Sequence, residues 1–220
     1  MQWLDYRLRD FLLFAPDTYW RLFEQANQAV WPLPLIVPLL LACCLAARRR
    51  AGAVPYLVTG LLAAAWAWCG GYFVGRWYAP VNWLATYAVP AFYLQALLLL
   101  WFGMFRNGFG GQPVTGARRV VGWTMTAGAL LFYPLAALPR GQGVIAGEFA
   151  GTAPDPTAIA TLGLCLLTRR LTAAACLPIP LLVCAASFLT LRAMESWQAW
   201  LLLAAAAATL GVLATNSRVR

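Results

Sequence analysis

The sequence predicts an all-α fold: a polytopic transmembrane helical bundle of about seven spans, one of them short, broken or re-entrant. An amino-terminal interfacial amphipathic helix precedes it. Three observations carry this reading. The 220 residues are 62% hydrophobic and 10% charged, with a mean hydropathy of +0.70, the balance of a membrane-embedded chain rather than of a soluble domain. Apolar runs follow one another at lengths close to the roughly 20 residues that cross a bilayer core. His and Lys are absent, and the sixteen basic residues, all Arg, gather in short breaks between the apolar runs. That placement is an orientation signal, so the net charge of +9 does not argue for nucleic acid. The chain therefore reads as a single integral membrane domain, 1–220, with an interfacial segment at 1–28 and the bundle at 30–215.

The segment MQWLDYRLRDFLLFAPDTYWRLFEQANQ mixes acids with arginines and lacks a small-residue cleavage site, so it is not read as a cleavable signal peptide. Asp17 after Pro16 is placed to cap a helix on which Trp20, Phe23, Asn27 and Val30 recur at helical spacing. Such a helix lies along the membrane interface or packs over the bundle as a lid. Span one runs from about Val30 to Ala47 and stops at Arg48-Arg49-Arg50. Span two runs from about Val54 to Val74, where Gly71 and Gly75 make a close-packing face. Span three, about Val81 to Phe105, carries Asn82, Tyr87 and Gln95. Span four covers about Val120 to Leu138, after a polar Gly-rich loop.

The stretch GQGVIAGEFAGTAPDPTAIATLGLCLLTRR, from Gly141 to Arg170, is the most unusual of the chain. Asp155 suits an N-cap and Pro156 the first helical position, where a missing N–H costs nothing. From Pro156 to Thr168 the chain is apolar or small, then Arg169-Arg170 ends it. Such a helix reaches only ~20 Å at 1.5 Å per residue, against a hydrocarbon core of ~30 Å. Two readings follow. In one, a short helix starts below the membrane surface and the Gly-rich segment dips in to meet it, as in the half-helix sites of transporters. In the other, a kinked span begins near Val144, bends at Pro154, and Asp155 merely caps. Span six, about Thr172 to Leu191, carries Pro178 and Pro180, which kink it and free backbone carbonyls inside the bundle. Span seven, about Trp197 to Ala214, has a small-residue face at Ala204, Ala208 and Gly211.

Seven spans put the termini on opposite sides. Arg48, Arg49, Arg50, Arg106, Arg118, Arg119, Arg169, Arg170, Arg218 and Arg220 then share one side. The positive-inside rule makes that side cytoplasmic, with the amino terminus outside. Glu24 with Asn27, Arg76 with Asn82, Arg140 with Glu148, and Asp155 with Thr157 gather near the outer face. They pair there, or they line an outward-facing cavity. The candidate ligand-binding set is Asp155, Thr157, Asn82 and Glu148, with Asp155 foremost because an intramembrane acid is a functional suspect. A carboxylate repels anions, so a cation, an amine or a hydrogen-bonding solute fits better.

No enzyme is expected. There is no His to act as a base, no Lys for a Schiff base and no recognisable nucleophile setting. The six cysteines all lie in apolar runs without a C-x-x-C pair and read as small buried hydrophobes. The adjacent pair Cys43-Cys44 resembles the vicinal cysteines in the first span of mercuric-ion transporters, a likeness two residues long that makes a soft-metal handler the weakest alternative. No cofactor is implied. The expected partners are membrane lipids and other membrane subunits.

Three stretches, YRLRDFLLFAPDTYWRLFEQANQAVWP, APVNWLATYAVPAFYLQALLLLW and APDPTAIATLGLCLL, together resemble an uncharacterised bacterial membrane family, domain-of-unknown-function number 6064. The resemblance covers most of the chain in order and implies a bacterial inner-membrane protein with no established activity. Where this chain has Asp155 the family often has Cys, and where it has Ala158 a second Thr, which puts a thiol-based role in doubt here. The leading functional expectation is a non-enzymatic accessory or scaffolding subunit of a membrane complex. A small permease using the Asp155 site is the alternative.

Overall fold

The computed structural model describes residues 8–47, 53–105 and 114–217. Among them the fold is all-helical. The nine main helices are α1 (Pro16–Ala29), α2 (Leu33–Ala47), α3 (Val54–Tyr78), α4 (Trp83–Phe105), α5 (Gly116–Arg140), α6 (Pro154–Leu166), α7 (Arg170–Cys176), α8 (Pro178–Ala193) and α9 (Ala199–Ser217). The arginines at 48–50, 106, 218 and 220, on which the expected orientation leans, lie outside the described residues.

Three helices, α3, α4 and α5, are long and apolar enough to cross a membrane, or four spans if the pair α1–α2, bent by 80°, counts as one. This corrects the expectation of about seven spans. Three runs fall short: the seventh because the apolar stretch of α9, Ala199–Thr215, is too short, and the other two for separate reasons. Pro178 and Pro180 divide the sixth run at Leu177 into α7 and the 16-residue α8, so the expected kink is a break. The fifth run gives the 13-residue α6, buried from Asp155 to Leu166 by protein rather than presented outward. Around it stand α3, α5, α8 and α9, so α6 is the axis of the bundle.

The Gly71 face packs as expected: a Cβ there would meet the Tyr93 hydroxyl of α4 at 2.5 Å. The corresponding face of α9 is not covered, for Ala204 and Gly211 stand exposed. Helix α1 buries Tyr19, Trp20, Leu22, Phe23, Ala26 and Asn27 against the described residues and so packs onto the bundle. Asn27 fixes it by donating from Nδ2 to the carbonyls of Ile145 (2.7 Å) and Gly147 (2.8 Å).

The break at Leu177 leaves the Cys176 carbonyl without its usual donor, because Pro180 has no N–H to offer it. The Gln95 Nε2 of α4 donates to that carbonyl at 3.1 Å, from a fully buried position. The amide in span three and the prolines in span six are thus two halves of one arrangement.

Candidate functional site

Residues 141–153 form no helix beyond a single 3-10 turn at Val144–Ala146, and α6 begins at Pro154. A short helix thus starts at Pro154, and no helix runs on to it from Val144. The cap is shifted from the expected position. Ala153 is the N-cap, Pro154 opens the helix, and no side chain caps it. Gly151, at φ +97°, makes the turn into the helix in a conformation that favours glycine.

Thr157 ties this turn together. Its hydroxyl accepts the Gly151 N–H (2.7 Å), donates to the Ala153 carbonyl (2.6 Å), and lies 3.6 Å from the Cys69 sulfur. Its role is structural, and the structure does not place it on the cavity wall beside Asp155. The other end of α6 is closed by Arg118, whose Nε donates to the Leu166 carbonyl (3.1 Å) and Nη2 to the Thr168 carbonyl (3.0 Å). These are carbonyls a helix leaves without intrahelical donors, and a cation there also complements the helix dipole. In the sequence Arg118 stands out only as an orientation charge.

With capping done by the backbone of Ala153 and the turn held by Thr157, the Asp155 carboxylate is left free. Asp155 is 1% exposed, and both carboxylate oxygens are buried without a hydrogen-bond partner. The Ser187 and Tyr133 hydroxyls stand beside it as the two available hydrogen-bond donors, though neither meets full hydrogen-bond geometry. Asp155 lines a half-open cavity of about 220 Å³ formed by α1, α3, α4, α6 and α8. Asn82 lines the same cavity, so these two expected site residues do come together. Asn82 donates to the Tyr78 hydroxyl at 2.9 Å and keeps its own Oδ1 buried and unpartnered. Tyr19, Phe73, Tyr78 and Phe92 supply aromatic wall, a contribution that the expected site did not include.

Glu148 is brought close but belongs to a separate cluster. It is 1% exposed, lies 3.8 Å from Arg140 Nη1, and accepts from Gln198 Nε2 at 3.1 Å. Arg140 also donates to Gln142 at 3.1 Å and to Gln198, and its guanidinium lies 3.7 Å from the ring centroid of Trp20. The cluster joins the end of α5, the loop, helix α1 and the turn before α9. Of the other expected outer-face groups, Arg76 is exposed and Glu24, half-buried, accepts from Gln28 at 3.3 Å. Cys43 is exposed and Cys44 half-buried, pointing ~100° apart around α2. No group of three or more His, Cys, Asp or Glu suited to a metal occurs among the described residues.

The fold and site define a class: an apolar helical bundle built around a buried half-length helix, with an unpaired carboxylate at that helix's first turn. The chain belongs to DUF6064, a family of unknown function whose family profile matches residues 16–220. No curated protein and no solved structure matches the chain.

Proposed function

We propose that this is an integral membrane protein of the bacterial inner membrane that binds a small solute at Asp155, in the manner of a permease. The observation that carries the proposal is the Asp155 carboxylate, buried without a hydrogen-bond partner on the wall of a cavity. Burying an unpaired carboxylate is costly, and an uncompensated one marks a place where a ligand or a proton completes the charge balance. A half-helix that starts inside a bundle, behind an irregular buried segment, is the architecture that transporters use for such sites.

In this reading α3, α4 and α5 cross the membrane. Residues 141–153 and α6 together make a broken crossing, and counting the bent pair α1–α2 as a fifth puts the amino terminus outside and the carboxyl terminus cytoplasmic. The contacts at the two ends of α5 support the alternation of helix directions. Arg118 at its start meets the end of α6, whereas Arg140 at its end meets Gln198 before α9.

The test is accessibility. With Cys43 and Cys44 changed to Ala, the four remaining cysteines are buried. Ser187→Cys in that background should react with a membrane-impermeant thiol reagent added outside the cell. Failure to react from either side would remove the solute site.

A second reading, an accessory subunit, is favoured by one feature. An apolar groove of about 740 Å³ runs between α5 and α9, floored by small residues including Gly128, Ala129, Ala204 and Ala208. Such a face suits close packing of another helix. Native mass spectrometry from mild detergent decides: a stoichiometric partner polypeptide supports this reading, and a lone monomer or homo-oligomer removes it.

A further inference from the structure

The cavity at Asp155 also carries information about what would fill it. We propose that its ligand class is a small organic cation, a quaternary or protonated amine, held by the Asp155 carboxylate against an aromatic wall. This inference rests on the solute-binding reading above and narrows it.

The donor set favours an organic cation. A bare inorganic cation is held by several oxygens, six or more for calcium or magnesium, arranged around it. Here the oxygens are mostly neutral. The side-chain oxygens of the cavity include the Asp155 carboxylate, the Asn82 Oδ1 and the neutral hydroxyls of Ser187, Tyr78 and Thr190, so a single charged group faces the cavity, too little charge for a divalent ion. The rest of the wall is mainly carbon. An organic ammonium needs no shell of oxygens. It carries its own apolar surface and requires one counter-charge.

The aromatic content of the wall points the same way. Tyr19, Phe73, Tyr78 and Phe92 all line the cavity. Tyr19 and Tyr78 meet edge to face at 5.7 Å, and Phe73 stacks with Tyr78 at 6.5 Å, so three of the rings form one continuous surface. Aromatic faces attract cations through their quadrupole, and grouped rings recognise methylated ammonium groups in this way.

The size of the cavity also fits. At about 220 Å³ the cavity exceeds the ~150 Å³ that accepts a benzene-sized molecule. A desolvated inorganic ion would leave most of it empty. The position of Asp155 in the first turn of α6 adds a constraint. The positive end of the helix dipole favours the ionised carboxylate.

The experiment is calorimetric titration of the purified full chain in detergent with tetramethylammonium, choline, sodium, and 3,3-dimethyl-1-butanol, the uncharged analogue of choline. Tetramethylammonium or choline should bind, and the uncharged analogue should bind at least tenfold more weakly. Asp155→Asn should weaken the cation by tenfold or more, and Tyr78→Leu and Phe92→Leu each by several-fold, with helical circular dichroism unchanged. Should either aromatic variant fail to fold, protection of Ser187→Cys from thiol modification by choline, and not by its uncharged analogue, gives the same reading. Sodium binding that depends on Asp155, without binding of the organic cations, overturns this inference and leaves the solute site standing. No binding of any of these cations, with a cavity closed to thiol reagents, overturns both.

Discussion

Arg140 and Glu148 face each other at 3.8 Å, yet Arg140 Nη2 and Glu148 Oε2 are each buried without a hydrogen-bond partner. The pair is held as much by what surrounds it, Gln198 and the Trp20 ring, as by its own contact. Breaking a buried pair from one side strands a charge and costs ~3–5 kcal/mol, whereas replacing both partners by apolar groups is often neutral. Arg140→Met should therefore lower the thermal midpoint substantially, and Arg140→Met with Glu148→Leu should recover most of the loss. Thermal unfolding of the four proteins of that cycle is the measurement. Additive losses would show that the two residues act independently.

Gly122 of α5 and Gly163 of α6 cross with their backbones in contact. A Cβ at 163 would sit 2.6 Å from the Gly122 carbonyl oxygen and equally close to the Thr126 hydroxyl oxygen. Gly163→Ala must push the helices apart, at ~1–3 kcal/mol for overpacking. Gly128, with nothing within 4 Å of an added Cβ, is the control, and Gly128→Ala should leave the midpoint nearly unchanged.

Gln95 supplies the donor that Pro180 cannot. Gln95→Leu leaves the Cys176 carbonyl buried and unpaired, which costs ~1–3 kcal/mol. The loss should localise: hydrogen exchange ought to rise around the α7–α8 break and not in α5. Uniform loss of protection would show that Gln95 does more than complete that break.

Asp155 should show the trade between stability and function expected of a site residue. Above neutral pH and without ligand, Asp155→Asn removes a buried charge and should raise the thermal midpoint by a few degrees. The same change should abolish stabilisation by any cationic ligand. A lower midpoint for the variant would mean that the carboxylate is compensated in the resting protein.

How far the sequence alone carried this architecture differs from element to element. The short helix after residue 153, the breaking prolines at 178 and 180, and the suspicion on Asp155 follow from rules about proline, helix length and buried acids, all local. The count of crossings did not follow, because hydropathy reads an apolar run alike whether lipid or protein covers it. Helix α6 is covered by protein. The cap was misplaced by two residues because Asp155 and Ala153 differ in propensity, while the choice was made by the turn at Gly151 and the Thr157 hydroxyl. The aromatic wall of the cavity was illegible for another reason. Tyr19, Phe73 and Phe92 come from three helices, and no spacing along the chain relates them. Arg118 hid behind an adequate explanation: a charge that also sets orientation gives no sign in sequence that it caps a helix 48 residues away.

The central claim is that Asp155 is left unpaired because a solute completes it. The most direct measurement is uptake of labelled choline and labelled sodium into liposomes that contain only the purified protein, with wild type compared against Asp155→Asn. The account predicts saturable uptake of at least one of these cations above protein-free liposomes, falling tenfold or more in the variant. Uptake that is equal in the two proteins, or absent from both, would contradict it.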